Sequence, residues 1–365
     1  MTQTAALFRD AYRALSAKKL FWIVLVLSGL VVAVFAMVGV TPEGISILWW
    51  ELEAPINSKV LPPDKFYKAA FVTLGIKFWL AWIASILALV STASIIPDFI
   101  SSGAIELTLS KPIGRLRLFL TKYVAGLLFV TLQVAVFTAA SFLVIGLRGG
   151  AWEPGLFWAV PYTVLFFSYL FSVCACLGLL TRSGVAALLL TLLAWFLIFG
   201  VHTAETTLMY FQERSAYQVE SGTRQLESAE RALAEALDRG EDAAARRTRV
   251  EDRAARLADV QARAGTLNAW HGYLFTAKTV LPKTSETIEL LDRTLTVSAD
   301  LENIDAPADS QAFGRNDPPV NEREVQKRVA ERIRARSPLW VVGTSLLFEA
   351  AVVLLTAWVF ARRDF

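Results

Sequence analysis

Few residues in this chain combine type and spacing in a way that performs chemistry. Cys174 and Cys176 stand two apart in an apolar run. Residues at i and i+2 of a helix do not face each other, so no disulfide is expected between them. A Cys-x-Cys pair can pass on a copper ion. With three Met and two His in the whole chain, two buried small apolar side chains are the better reading. The histidines, His202 and His271, are far apart and neither stands in a His-x-x-x-His or His-Glu pair, so a zinc site on them is not expected. The dipeptide Gly-Lys does not occur, which removes the phosphate-cradling P-loop. No Gly-x-Ser-x-Gly elbow presents a nucleophile. The chain is expected to be a non-catalytic subunit with no cofactor of its own. One acid stands out: Glu349 lies about ten residues into an apolar run. A charge at mid-membrane costs at least about 2.5–3.5 kcal/mol, so Glu349 must face a helix-bundle interior or a cavity. It either lines a path or a subunit interface, or it is a neutral acid hydrogen-bonded to a Ser, Thr or Tyr of a neighbouring helix.

The elements that position these residues are membrane helices. The chain has 365 residues, of which 55% are hydrophobic and 19% charged. Its mean hydropathy is +0.47. Soluble proteins are less apolar and carry more charge. A soluble globular enzyme, a secreted disulfide scaffold and a disordered tail are excluded. A net charge of +3 gives no global pull toward nucleic acid. Six apolar runs approach or exceed the length that crosses a bilayer: Leu20 to Val40, Leu74 to Ile96, Leu118 to Leu147, Phe157 to Leu180, Val185 to Thr203 and Leu339 to Ala361. The expected fold is an all-α integral membrane protein with a large, mostly helical extracytoplasmic insert between the fifth and sixth spans. Thr181-Arg182-Ser183-Gly184 makes a tight helical turn between the fourth and fifth. Pro97 is read as the end of the second.

Basic residues gather on one side of these spans: Arg9, Arg13, Lys18, Lys19, Lys111, Arg115, Arg117, Lys122, Arg182, Arg362 and Arg363. The short loops of the other side hold only Lys59, Lys65, Lys68 and Arg148. Both termini are therefore expected in the cytoplasm. Arg332, Arg334 and Arg336 oppose this, but they end a segment too long for the rule to weigh. Lys77 is close enough to the outer end of the second span to snorkel. His202 and Glu205 are read as interfacial.

Outside the lipid, Phe8, Tyr12 and Leu15 form an apolar stripe flanked by Arg9 and Arg13, an amphipathic helix for the membrane surface or a short charged leader. The loop from Thr41 to Thr73 carries four prolines, and its Trp49-Trp50 and Phe66-Tyr67 pairs suit the outer headgroup level. The domain reading is 1–204 for the N-terminal helix and five spans, 205–337 for the insert, and 338–365 for the last span. Within the insert, Val219, Leu226, Leu233 and Leu237 are followed by a charged turn around Gly240 and then by Val250, Leu257 and Val260. A hairpin over about 211–266 accounts for this, with one continuous helix as the alternative. Ile288, Leu291 and Leu295 are expected to form a short helix on the outer surface. Asn321-x-x-Glu324 resembles a capping box.

The most informative stretch joins the second and third spans. Phe99, Ile100, Ile105, Leu107 and Leu109 form a short apolar element after Pro97, broken by Lys111-Pro112. Arg115, Arg117 and Lys122 then face the anionic leaflet. An apolar element with an acid at a membrane face either docks a soluble partner or merely anchors its loop. The pattern Gly103-x-x-Glu106-Leu107-x-Leu109-Ser110-Lys111-Pro112-Ile113-x-Arg115, with Lys122-Tyr123 after it, resembles the corresponding loop of type 2 ABC transporter permeases. The ending Phe360-Ala361-Arg362-Arg363-Asp364-Phe365 is similar to that family's usual C-terminus. The insert resembles a branch linked to multicopper-enzyme maturation and gliding.

The resemblance implies a permease in a bacterial cytoplasmic (inner) membrane. It would pair with a second copy or a homologue and with two separate cytoplasmic ATPases, on which ATP and magnesium would lie. The segment from Pro97 to Leu109 would be the coupling helix, with Glu106 and Arg115 as its polar anchors. An ATP-independent transporter would instead need several in-membrane charges and matched broken helices. A membrane-anchored scaffold whose outer hairpin binds a partner protein leaves the Gly103 to Arg115 loop unexplained.

Overall fold

A computed structural model describes residues 19–53, 58, 61–101, 114–295 and 320–362. The chain divides into two compact units. The first comprises residues 1–198, 281–304 and 338–365; the second comprises 199–280 and 305–337.

In the first unit, α1 (Lys19–Met37) turns one stripe inward: Phe21, Val24, Ser28, Val32 and Phe35 are buried at helical spacing. Its opposite face leaves Trp22, Ile23, Val26, Leu30 and Val34 exposed. In water so large an apolar face would be a liability; in lipid it costs nothing. Six helices of the described residues are long and apolar enough to cross a membrane. The protein is helical and membrane-embedded.

The chain from Pro63 to Ile100 is one such element built in pieces. α2 (Pro63–Ala70) passes into a π-helical stretch, Phe71–Ala84, and then into α3 (Ser85–Thr92). In the π stretch Phe71, Val72, Gly75, Ile76, Trp79 and Leu80 are buried, a repeat of four. That repeat is wider than an α-helical face, and Gly75 lets the rings of Phe137 and Phe35 approach closely. Pro97 does not end this span. The break falls at Ala93 and Ser94, and α4 (Ile95–Ser101) restarts beyond it, with the Asp98 amide donating to the Ser94 carbonyl at 2.8 Å. Pro97 sits in the first turn of α4, where its missing N–H is not needed.

α5 (Arg115–Gly149) ends on Gly150 in the left-handed conformation. A 3₁₀ turn, Pro154–Trp158, leads into α6 (Ala159–Thr181), which Arg182 caps with φ 53°. α7 (Gly184–Asp238) follows, and the last helix of this unit is α11 (Pro338–Arg362). Gly126 of α5 admits the Phe171 ring: a Cβ there would stand 2.7 Å from it.

Two further features depart from the sequence reading. The Thr41 to Thr73 loop begins with a three-stranded antiparallel meander, β1 (Val38–Thr41), β2 (Gly44–Ile47) and β3 (Trp50–Glu53). β1 continues the apolar run of α1, so hydropathy alone hid it. The Tyr67 hydroxyl donates to the Val38 carbonyl at 2.7 Å and pins the sheet to α2. The second is α9 (Thr284–Thr294): the short helix expected around Ile288 to Leu295 is present, but its apolar side is packed into the protein rather than exposed. Ile288, Leu290, Leu291 and Leu295 are buried in the first unit's core, and so are Thr284, Glu286 and Thr287.

The second unit is built on two antiparallel arms. The later part of α7 and α8 (Ala244–Val280) are joined by a short turn in which Gly240 takes φ 68°. The Asp242 carboxylate caps α8 by accepting from the Ala244 amide at 3.1 Å. Arg253 donates to the Gln225 carbonyl at 2.7 Å and Gln212 to Asn268 at 2.6 Å, which fixes the register. α10 (Glu322–Arg334) starts on Asn321, whose side chain accepts from the Glu324 amide. α10 lies on α7 through Arg328–Glu220 at 3.1 Å, Arg332–Glu213 and Tyr210–Glu322. No helix break marks the boundary read at residue 204: α7 runs through it.

Candidate functional site

α5, α6 and α11 bring Tyr123, Ser168 and Glu349 together inside the first unit. The Tyr123 hydroxyl donates to Glu349 Oε1 at 2.8 Å, and Ser168 Oγ lies 2.8 Å from Glu349 Oε2. The Tyr123 hydroxyl is also 3.2 Å from the Ser168 carbonyl. The Tyr123 ring is itself held, stacked on Phe171 with centroids 5.1 Å apart. Among the described residues no cation pairs with Glu349. The carboxyl is held by neutral hydroxyls, which can reorient or accept as well as donate. On the same helix, Ser345 accepts from the backbone amide of Lys283 at 2.9 Å, and the Lys283 ammonium sits 4.8 Å over the Trp340 ring. Polar groups thus recur along the inner face of α11.

The stretch singled out between the second and third spans is partly described. Gly103, Ile105, Glu106, Leu107, Lys111 and Pro112 lie outside the described residues. Pro97, Phe99, Ile100 and Arg115 lie within them. α4 packs tightly on the end of α6, since a Cβ on Gly178 would stand 3.2 Å from Pro97. Phe99 and Ile100 pack partly buried against the core, and the Lys122 ammonium lies 5.3 Å over the Phe99 ring. Arg115 donates to the Ala361 carbonyl at 3.3 Å, a cation at the C-terminal end of α11 where the helix dipole favours one. The amphipathic N-terminal stripe of Phe8, Tyr12 and Leu15 lies outside the described residues.

Sequence reasoning missed a second carboxylate cluster, within the second unit. Glu205, expected at the interface beyond the fifth span, has a side chain fully buried within the protein. It accepts from Lys278 at 2.7 Å and from Arg336 at 2.5 Å, and His271 Nε2 is 3.2 Å away. Burial alone would raise the Glu205 carboxyl. The hydrogen bonds and charges of Lys278 and Arg336 outweigh it and hold the group below the ordinary carboxylate range. The cluster ties α7, α8 and the end of the α10 segment together. Its only signal in the sequence was the basic run Arg332, Arg334, Arg336, which was weighed as a topology mark rather than as a set of partners.

Among the described residues no three His, Cys, Asp or Glu side chains gather to hold a metal ion. Cys174 is buried and Cys176 half-buried, both as free thiols. Residues 58–219 match a protein family of unknown function, DUF2705. No curated protein and no solved structure matches the chain.

Proposed function

We propose that the chain is the membrane-spanning permease subunit of an ATP-binding cassette transporter. It crosses the bacterial inner membrane six times with both termini in the cytoplasm. ATP is hydrolysed on a separate ATPase subunit, and a second copy or a homologue completes the pore. The observation that carries the reading is the Gly103 to Arg115 stretch with its Lys122-Tyr123 continuation. The packing around it supports the reading. α4 is wedged against α6 through Pro97, and Arg115 holds the end of α11. A push on α4 would therefore reach α5, α6 and α11 together, and those are the helices that carry Tyr123, Ser168 and Glu349.

The test is purification of the tagged chain from its own host in mild detergent, beside Glu106→Arg. A stoichiometric P-loop ATPase that is lost in the variant is expected. A folded chain with no ATPase overturns the reading. One observation favours an added role for the insert: Trp270 and Tyr273, 61% and 73% exposed, form an edge-on aromatic pair on the second arm of the hairpin. An extracytoplasmic partner protein docked there accounts for them. Replacing both Trp270 and Tyr273 by Ala should keep the ATPase and abolish outer-side function; unchanged function would remove that role.

A further inference from the structure

The interior of the first unit holds polar side chains that the Glu349 cluster does not use. Gln133 of α5 and Thr163 of α6 are 6% and 2% exposed. The Gln133 amide nitrogen and the Thr163 hydroxyl have no hydrogen-bond partner among the described residues. Exchanging the amide's oxygen and nitrogen does not remove the problem, because a buried amide atom is left unpaired either way. Inside a membrane no solvent repairs such a defect, and each unpaired group costs several kcal/mol.

Both side chains line the same small, partly open cavity with room of about 10 Å³ for water. Its other polar walls are Ser28 of α1 and Ser85 of α3, and its apolar walls include Val24, Leu80, Ala88, Val130 and Val134. Four helices meet there. A space near 10–15 Å³ takes about one water, and a buried water needs two to four polar partners. Ser28 Oγ already accepts from Trp79 Nε1 at 3.2 Å and keeps a proton to give. Ser85 Oγ donates to the Leu80 carbonyl at 2.7 Å and keeps lone pairs to receive. The wall thus offers unpaired groups from two helices and spare capacity from two more.

The place in the fold is also distinctive. Ser85 is the first residue after the π-helical stretch, and its bond to the carbonyl five residues back spans the junction where the helix returns to α geometry. Mid-helix changes of this kind need local partners to complete their hydrogen bonding.

We propose that this cavity is a binding site for a single water molecule. The water bridges Gln133 and Thr163, and Ser28 and Ser85 bound it. It completes the hydrogen bonding of four helices at the π-to-α junction.

The proposal is tested on the full chain in lipid nanodiscs. Synchrotron X-ray pulses turn bound water into hydroxyl radicals in place, and these oxidise adjacent side chains. Leu80 and Val130, 2% and 3% exposed, should be labelled well above Leu170 and Val72, both 2% exposed, which do not line the cavity. Labelling of Leu80 and Val130 no higher than that of Leu170 and Val72 overturns the proposal, and this arm needs no variant to fold. A second arm compares Gln133→Leu, Thr163→Val and the double variant. Each single change should abolish the extra labelling at Leu80. The second substitution should then shift the unfolding temperature no further, because a shared water is lost once. Labelling that survives both single changes, or unfolding shifts that simply add, overturns it.

Discussion

Two carboxylates, one fully buried and one half-buried, are held between helices in opposite ways. Glu205, in the polar insert unit, is surrounded by Lys278, Arg336 and His271 and fully shut from solvent. Glu349, in the apolar unit, meets the Tyr123 and Ser168 hydroxyls and, among the described residues, no cation. A buried acid between two cations is fixed in charge and position, and removing it strands two cations. An acid among hydroxyls is held by partners of either hydrogen-bonding sense, so its surroundings tolerate change. The first arrangement is a lock between helices. The second is a place where a conformational change or a passing group can be felt at little cost to folding.

The largest effect should come from breaking the lock. Glu205→Gln leaves Lys278 and Arg336 facing a neutral amide, and removing one partner of a buried ion pair costs about 3–5 kcal/mol. Amide hydrogen exchange on the whole chain reads this directly. The amides around His271 to Lys278 at the end of α8 should exchange faster by about two to four powers of ten, while those of α5 and α6 keep wild-type protection. Equal protection throughout would mean that Glu205 is not what holds the insert, and the contrast would collapse.

A milder version of the same break is acid. The Glu205 carboxyl is held below its ordinary value in the folded protein. Its contribution to stability is therefore fully present above the unfolded value of about 4.3 and is lost as pH falls through the lower folded value. Protection at the end of α8, taken relative to the intrinsic exchange rate at each pH, should not change through Glu205 between about pH 5 and 7, and it should fall on acidification below about 4. Glu205→Gln should lose that acid-dependent component. An acid response unchanged in the variant would assign it to other groups.

How much of this could be read from the sequence follows from the physics of each signal. Apolar runs are long and redundant, so the helices containing Leu118 to Leu147 and Phe157 to Leu180 were legible to within a few residues. The Asn321 cap was legible because its partner lies three residues away. Pro97 misled because a proline ends a helix only when its N–H is needed, and here a break at Ser94 precedes it. β1 to β3 were invisible because four-residue strands carry little pattern next to a continuing apolar run. The two carboxylate clusters were the least legible. Glu349 announced itself by depth alone, whereas its partners Tyr123 and Ser168 are 226 and 181 residues away. Arg336 reaches Glu205 across 131 residues, and no local spacing encodes such a pair.

The hydroxyl site can be probed one partner at a time. Tyr123→Phe keeps the ring stacked on Phe171 and removes the donor to Glu349. Leaving this half-buried acceptor short of one hydrogen bond costs about 1–2 kcal/mol, the lower part of the range for a buried group. The measurement is the unfolding temperature in detergent, paired with Ser168→Ala and the double variant. The two single effects should not add, because the hydroxyls share one carboxyl and the Tyr123 oxygen also approaches the Ser168 carbonyl. Additive effects would mean that the three groups do not act as one cluster.

The smallest expected effect is the sharpest test. Glu349→Gln is the same chemical change as Glu205→Gln, made where no cation among the described residues pairs with the acid. The amide oxygen can still accept from Tyr123, and the amide nitrogen can donate to Ser168 Oγ, which then donates to the Leu165 carbonyl at 2.8 Å. Every partner keeps a bond, so stability should change by about 1 kcal/mol or less. Hydrogen exchange in α11 and the unfolding temperature should both stay close to wild type. A loss comparable to that of Glu205→Gln would show that Glu349 is structural in the same sense, with a counter-charge not captured by the Tyr123–Ser168 pair. Preserved stability with altered ATP-driven function in the assembled complex would separate the two roles: the carboxyl would then matter for what its charge does during the cycle, since the fold does not depend on it.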